Sequence, residues 1–281
     1  MPGDRRRLST LRSAVALPLL SALLLAASGC ATTRQPRSLE ELWKEYEQAV
    51  EAAKYPAPGR VSRSLIAITT FTPGLVWDES GQKVLMATWT KAKYYTGQPP
   101  YETTVPAPVW LTAVPFLQGF CQRSGLQGES LRVRLAERLG MPPDSANDVF
   151  VQMWVDPQDF FRPCPDPEVN DSQCQVNLTT GPVDRSADCP WSAALAGQVS
   201  GNFVSVTQSQ IEWMCRNWEK SYPAGEPRKS YPWTALGYTY DWGAKSFYGE
   251  SEFVLPPDST VTVQSITPMD AYCARAGSRA R

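Results

Sequence analysis

The chain contains no histidine in 281 residues. That absence removes the Ser-His-Asp and Cys-His arrangements, H-E-x-x-H zinc sites and imidazole proton shuttles together. Catalysis of any kind would have to run on carboxylates, lysine, tyrosine or serine. A basic excess is missing too, since 27 Lys and Arg stand against 28 Asp and Glu. Without a basic stripe nothing displaces the counterions of a phosphate backbone, which argues against a nucleic-acid partner. The seven cysteines show no C-x-x-C spacing, so a thiolate metal site has no framework. No apolar run reaches the roughly 20 residues that a spanning helix needs. The longest candidate, Ala14 to Ala27, is diluted by Pro18 and Ser21 and followed by Ser28, Gly29, Thr32 and Thr33.

What is present begins at the N-terminus. Arg5, Arg6, Arg7 and Arg12 precede that apolar run, and Ala27-Ser28-Gly29-Cys30 ends it, which is the layout of an export signal. The ending resembles the lipobox of bacterial lipoproteins, although Ala27 stands where that family more often has leucine. The resemblance covers the first thirty residues. It implies that residues 1–29 are removed as a signal peptide and that Cys30 is acylated. Residues 30–37 then make a short polar tether, and 38–281 a single globular domain. Several acyl chains anchor a protein stably where one does not, so the implied partner is a membrane, reached through lipid alone. Residue Ala31 is not the aspartate that marks inner-membrane retention in enteric bacteria. The implied location is therefore the outer membrane, with the domain facing the periplasm or the cell surface.

Removing 29 of 281 residues leaves 252, and 27 − 4 = 23 basic against 28 − 1 = 27 acidic side chains. That length supports a sizeable core without a metal. If Cys30 holds lipid, six cysteines remain, and an even number in an exported chain reads as three disulfides with about 15 possible connectivities. Cys164 and Cys174 bracket a short polar loop and are expected to pair. For the rest, Cys121 with Cys273 and Cys189 with Cys215 is one arrangement among those left open.

Along the mature chain the hydrophobic period switches between helix and strand. Ser38-Leu39-Glu40-Glu41 has capping-box spacing before a helical stripe, Leu39 to Ala53. Ser64 to Phe71 and Lys83 to Thr90 read as a hairpin, and Tyr94 to Pro108 as a long loop. Val109 to Val114 reads as a strand, Pro115 to Arg123 and Ser130 to Leu139 as short helices, and Phe150 to Val155 as a central strand. Asp156 to Pro190 is a disulfide-pinned loop, a capped helix runs from about Ser209 to Lys220, and strands return from Leu236 to Ile266. Helices and strands do not alternate as βαβ units would, so the expected class is α+β with a mainly antiparallel sheet flanked by helices.

Four candidate sites stand beside plainer readings. Asp166, Glu168 and Asn170 place oxygens at alternate positions, as calcium loops do, but Asp171 sits where such a loop needs glycine and Asn177 where it needs glutamate. Asp156, Asp159, Asp241, Glu250 and Glu252 lie near aromatic segments, so a pair of them could hydrolyse a glycan, although no spacing selects a pair. Ser80 and Lys83 match S-x-x-K only formally, in a turn and without its companion motifs. Tyr231, Trp233, Tyr238, Tyr240 and Trp242 could form an aromatic ligand platform or simply pack in a core. No motif calls for a cofactor. The composition favours a binding or structural role, with an envelope glycan hydrolase using paired carboxylates as the alternative.

Overall fold

Ser38 starts the first helix as its spacing predicts. Its hydroxyl accepts from the Glu41 N–H at 3.2 Å, and the Glu41 carboxylate accepts from the Ser38 N–H at 2.7 Å. This capping box satisfies donors that a helix start leaves orphaned. Helix α1 (Leu39–Ala53) then buries Leu42, Trp43, Tyr46, Ala49, Val50 and Ala53 along one stripe. The Tyr46 hydroxyl, in the middle of that stripe, donates to the Ser230 carbonyl at 2.8 Å. The computed structural model describes residues 37–176, 188–191 and 208–275. The signal segment, Cys30, most of the tether and Asn177 lie outside these residues.

Four further helices are described: α2 (Phe116–Ser124), α3 (Gly128–Arg138), α4 (Gln208–Ser221) and α5 (Met269–Tyr272). The strands are β1 (Val84–Thr90), β2 (Tyr101–Thr104), β3 (Val109–Ala113), β4 (Val149–Val155), β5 (Tyr238–Tyr240), β6 (Tyr248–Ser251), β7 (Phe253–Leu255) and β8 (Thr260–Pro268). Six of them form one sheet in the order β2-β8-β4-β1-β3-β7, and β5 pairs with β6. Every pairing is antiparallel. The chain is thus α+β, with the sheet expected from the sequence.

Strand β4 lies inside the sheet because neither of its faces can be left wet. Val149, Val151, Met153 and Val155 enter one core with Val84, Met86, Val261 and Val263. Phe150, opposite Trp89 in the register, enters a second core built from helices α1 to α4. There it stacks on Tyr272 with ring centroids 4.0 Å apart. The alternation of side chains across the pleat separates the two cores.

Two segments differ from the sequence reading. Ser64 to Phe71 is not a strand, and β1 pairs with β3 and β4 instead. The Leu65 and Ile68 N–H groups donate to the carbonyls of Ser172 and Val169, so this segment satisfies its backbone against the Cys164–Cys174 loop. Within the Tyr94 to Pro108 loop, four residues make the edge strand β2, paired with Thr260 to Val263 of β8. Pro99, Pro100, Pro106 and Pro108 fall outside it, consistent with the lack of a donor on proline.

The disulfides are Cys121–Cys273, Cys164–Cys174 and Cys189–Cys215. These are the three pairs set out from the sequence. The β5–β6 hairpin presses on the end of α3 so closely that position 249 has no room for a side chain. A Cβ there would meet the side chain and backbone of Thr239 and, at 2.6 Å, the carbonyl of Arg138. Backbone atoms cannot rotate away, so Gly249→Ala is expected to lower stability by about 3 kcal/mol. A urea titration would show this as an earlier midpoint with an unchanged slope.

Candidate functional site

The carboxylates singled out from the sequence separate into different environments. Asp241 is fully buried and accepts both arms of the Arg134 guanidinium, at 2.9 and 2.6 Å. Arg138 reaches Glu250 at 2.7 Å and Asp241 at 3.4 Å, and both guanidinium groups lie over the Phe120 ring. Glu137 takes further contacts from Arg134 and Arg37. Asp241 and Glu250 are therefore committed to an ion-pair network that fastens α3 to the β5–β6 hairpin. Deleting one buried partner strands the opposite charges. Asp241→Ala is expected to cost about 3 kcal/mol, measured by thermal or urea unfolding. Of the other three acids, Asp159 is exposed, half-buried Asp156 caps a turn by accepting from the Gln158 N–H at 2.9 Å, and Glu252 lies elsewhere.

The acidic loop is organised around a cation of its own. Oxygens of Asp166, Glu168 and Asp171 come within 4.8 Å of one another. The third member is thus Asp171, whereas Asn170 is exposed. Burial first, then the hydrogen bond and charge of Glu168, pushes Asp166 up to about 7. The fully buried Arg162 lies among these groups, 3.7 Å from the Asp171 carboxylate. It donates to the carbonyls of Glu168 and Asp171 at 3.1 and 2.8 Å. A guanidinium supplies the positive charge there, and the Cys164–Cys174 bridge closes the loop.

An open cavity of about 820 Å³ lies between the β1–β3 part of the sheet, the Tyr94–Pro108 segment and helix α4. Its size falls within the range of small-molecule sites. Eight aromatic side chains line it, among them Trp89, Tyr101, Trp110, Tyr231, Trp233 and Tyr240. Three of the five platform residues are thus present, and two are not. Tyr238 packs against Phe247 and Tyr248, and Trp242 lies edge-on to Tyr46 and donates to the Met141 carbonyl. A register shift between Tyr238 and Tyr240 in the β5–β6 pairing breaks the alternation that placed these rings on one face.

Among the described residues, Glu252 is the one acidic side chain on the cavity wall. It is 5 % exposed, and its Oε1 has no hydrogen-bond partner among the described residues. Burial pushes its carboxyl up to about 8. Trp89 Nε1, Trp233 Nε1 and Asn217 Nδ2, on the same wall, also lack partners. Buried polar atoms are rarely left in this state. Paired-carboxylate hydrolysis needs a second acid across the cleft, and among the described residues the wall offers none besides Glu252. Trp89, Tyr101 and Asn217 belong to no motif. They become neighbours only when β1, the edge strand and α4 converge, and no periodicity in the sequence marks that convergence. Comparison with protein-family models, with curated proteins and with solved structures finds no match to the chain.

Proposed function

We propose that the protein is a lipid-anchored cell-envelope protein that holds a small ligand in the aromatic cavity. The observation that carries the binding role is the wall itself: eight aromatic side chains and four unpartnered polar atoms around about 820 Å³. Large apolar cavities with a few converging polar groups and one perturbed acid are the usual form of ligand sites. The address rests on the Arg5 to Cys30 segment and its likeness to a lipobox. Three disulfides suit an oxidising compartment. No described helix is long and apolar enough to cross a membrane.

One preparation tests both parts. Cells are labelled with radioactive palmitate, and the full chain is purified from the membrane fraction for native mass spectrometry. Wild type is expected to carry label and a bound small molecule. Cys30→Ala should lose the label and leave the membrane fraction, and Thr103→Trp, which projects a ring into the cavity, should lose the ligand. An unlabelled wild type overturns the address. A wild type as empty as Thr103→Trp overturns the binding role.

A further inference from the structure

Resting on the binding role just proposed, we infer that the ligand is an organic cation, its ammonium group paired with Glu252 and its apolar body packed against the aromatic wall. Glu252 sits between β6 and β7 with its backbone N–H held by the Gly237 carbonyl at 3.0 Å, which places its Cα at the cavity wall. Among the described residues no basic side chain pairs with its carboxyl, and the charge of Arg60 acts on the neighbouring Tyr222 and Tyr238 hydroxyls instead. Among the described residues the only basic side chain on the wall, Lys220, is exposed on α4. The titratable neighbours are Tyr222 of α4 and Tyr238 of β5, whose hydroxyls donate to the carbonyls of Trp233 and Arg60 at 2.6 and 2.8 Å. Neither hydroxyl proton is directed at Glu252.

A buried acid without a partner destabilises a fold unless something else completes it. Two ligand classes can do so. A neutral acceptor would take a hydrogen bond from the protonated acid, and a cation would ionise it and form an ion pair. The rest of the wall favours the cation. Aromatic rings attract ammonium groups through their quadrupoles, most strongly when desolvated. The ring-rich wall and the single acid therefore act with the same sign, and among the described residues no buried basic group on the wall opposes them. The unpartnered indole N–H groups of Trp89 and Trp233 and the amide of Asn217 add donors without acceptors. They suit an oxygen atom carried by the same molecule. On ionisation the carboxyl proton passes to solvent, so binding of a cation at neutral pH releases a proton.

The test uses three probes of one shape: 2-phenylethylammonium, the neutral 2-phenylethanol and the anionic 3-phenylpropionate. Each is titrated into the detergent-purified full chain by calorimetry at pH 7 in two buffers of different ionisation enthalpy. The ammonium probe is expected to bind at least tenfold more tightly than the alcohol and to release a proton. Glu252→Gln should remove that preference and the proton release. Equal binding of ammonium and alcohol, or a preference that survives Glu252→Gln, overturns the cationic class and leaves the cavity reading intact. Preference for the anion does the same. If no probe binds, the cationic class fails, and the bound-molecule measurement on Thr103→Trp separately decides whether the cavity is a site. The wild-type contrast needs no variant, so a folding defect in Glu252→Gln cannot mask the result.

Discussion

Replacing Cys121 and Cys273 together by serine is expected to remove about 5 kcal/mol of stability. The bridge joins α2 to the residue after α5, with a sequence separation of 152, whereas Cys164–Cys174 spans a separation of 10. Chain-entropy reasoning assigns the short loop only about 3 kcal/mol, since the restriction placed on the unfolded chain grows with the logarithm of loop length. Against a total of about 5–15 kcal/mol for an ordinary domain, losing the long bridge removes much of the margin. Urea titrations of the two double-serine variants at one pH decide the matter. The Cys121/Cys273 variant should have the earlier midpoint, corresponding to a further loss of about 2 kcal/mol, and equal losses would show that local packing controls both bridges. The long bridge also holds α2 beside Tyr272, whose ring stacks on Phe150 of the central strand. Its loss therefore loosens the helical core as well as the chain end.

The parts of this architecture that local chemistry decides were legible in the sequence. The Ser38–Glu41 box, the α1 stripe and the two-faced apolar run of β4 each depend on residues close in the chain. Ser64 to Phe71 departs from the strand reading because the Leu65 and Ile68 N–H groups bond to the acidic loop, a contact about one hundred residues away that no period encodes. The four-residue strand β2 is shorter than the window in which alternation can be recognised, and the surrounding prolines hid it. The cavity was legible only in part. Tyr231, Trp233 and Tyr240 were visible as a cluster of rings, while Trp89, Trp110 and Asn217 reach the same wall from elements distant in the chain. Asp241 and Glu252 look alike in sequence, two acids among aromatics. One meets two arginines on α3 and the other meets none, and that difference arises wholly from tertiary packing.

Stability is expected to fall as the pH is raised from 4 to 9, with Glu252 the largest single cause. The folded carboxyl titrates at about 8 against an ordinary value of 4.5. Below pH 4 both states are protonated and the acid imposes no penalty. Between those values the unfolded chain ionises while the folded chain keeps its proton, so the folded state binds more protons and loses stability as the pH rises. Once the pH passes 8 the penalty is complete, about 5 kcal/mol for a shift of some three and a half units. Asp166, at about 7, acts with the same sign. Tyr222 and Tyr238 stay neutral throughout, because burial raises both well above the ordinary tyrosine value. Glu252→Gln should therefore flatten the profile, leaving the slope contributed by the acidic loop. At pH 9 it should be more stable than wild type by about 3 kcal/mol, after about 1–2 kcal/mol is deducted for a buried amide without a full set of partners. Urea midpoints at pH 5, 7 and 9 measure this. Parallel profiles for the two proteins would show that water reaches the carboxyl freely, and the same result would remove the reason for it to seek a cation.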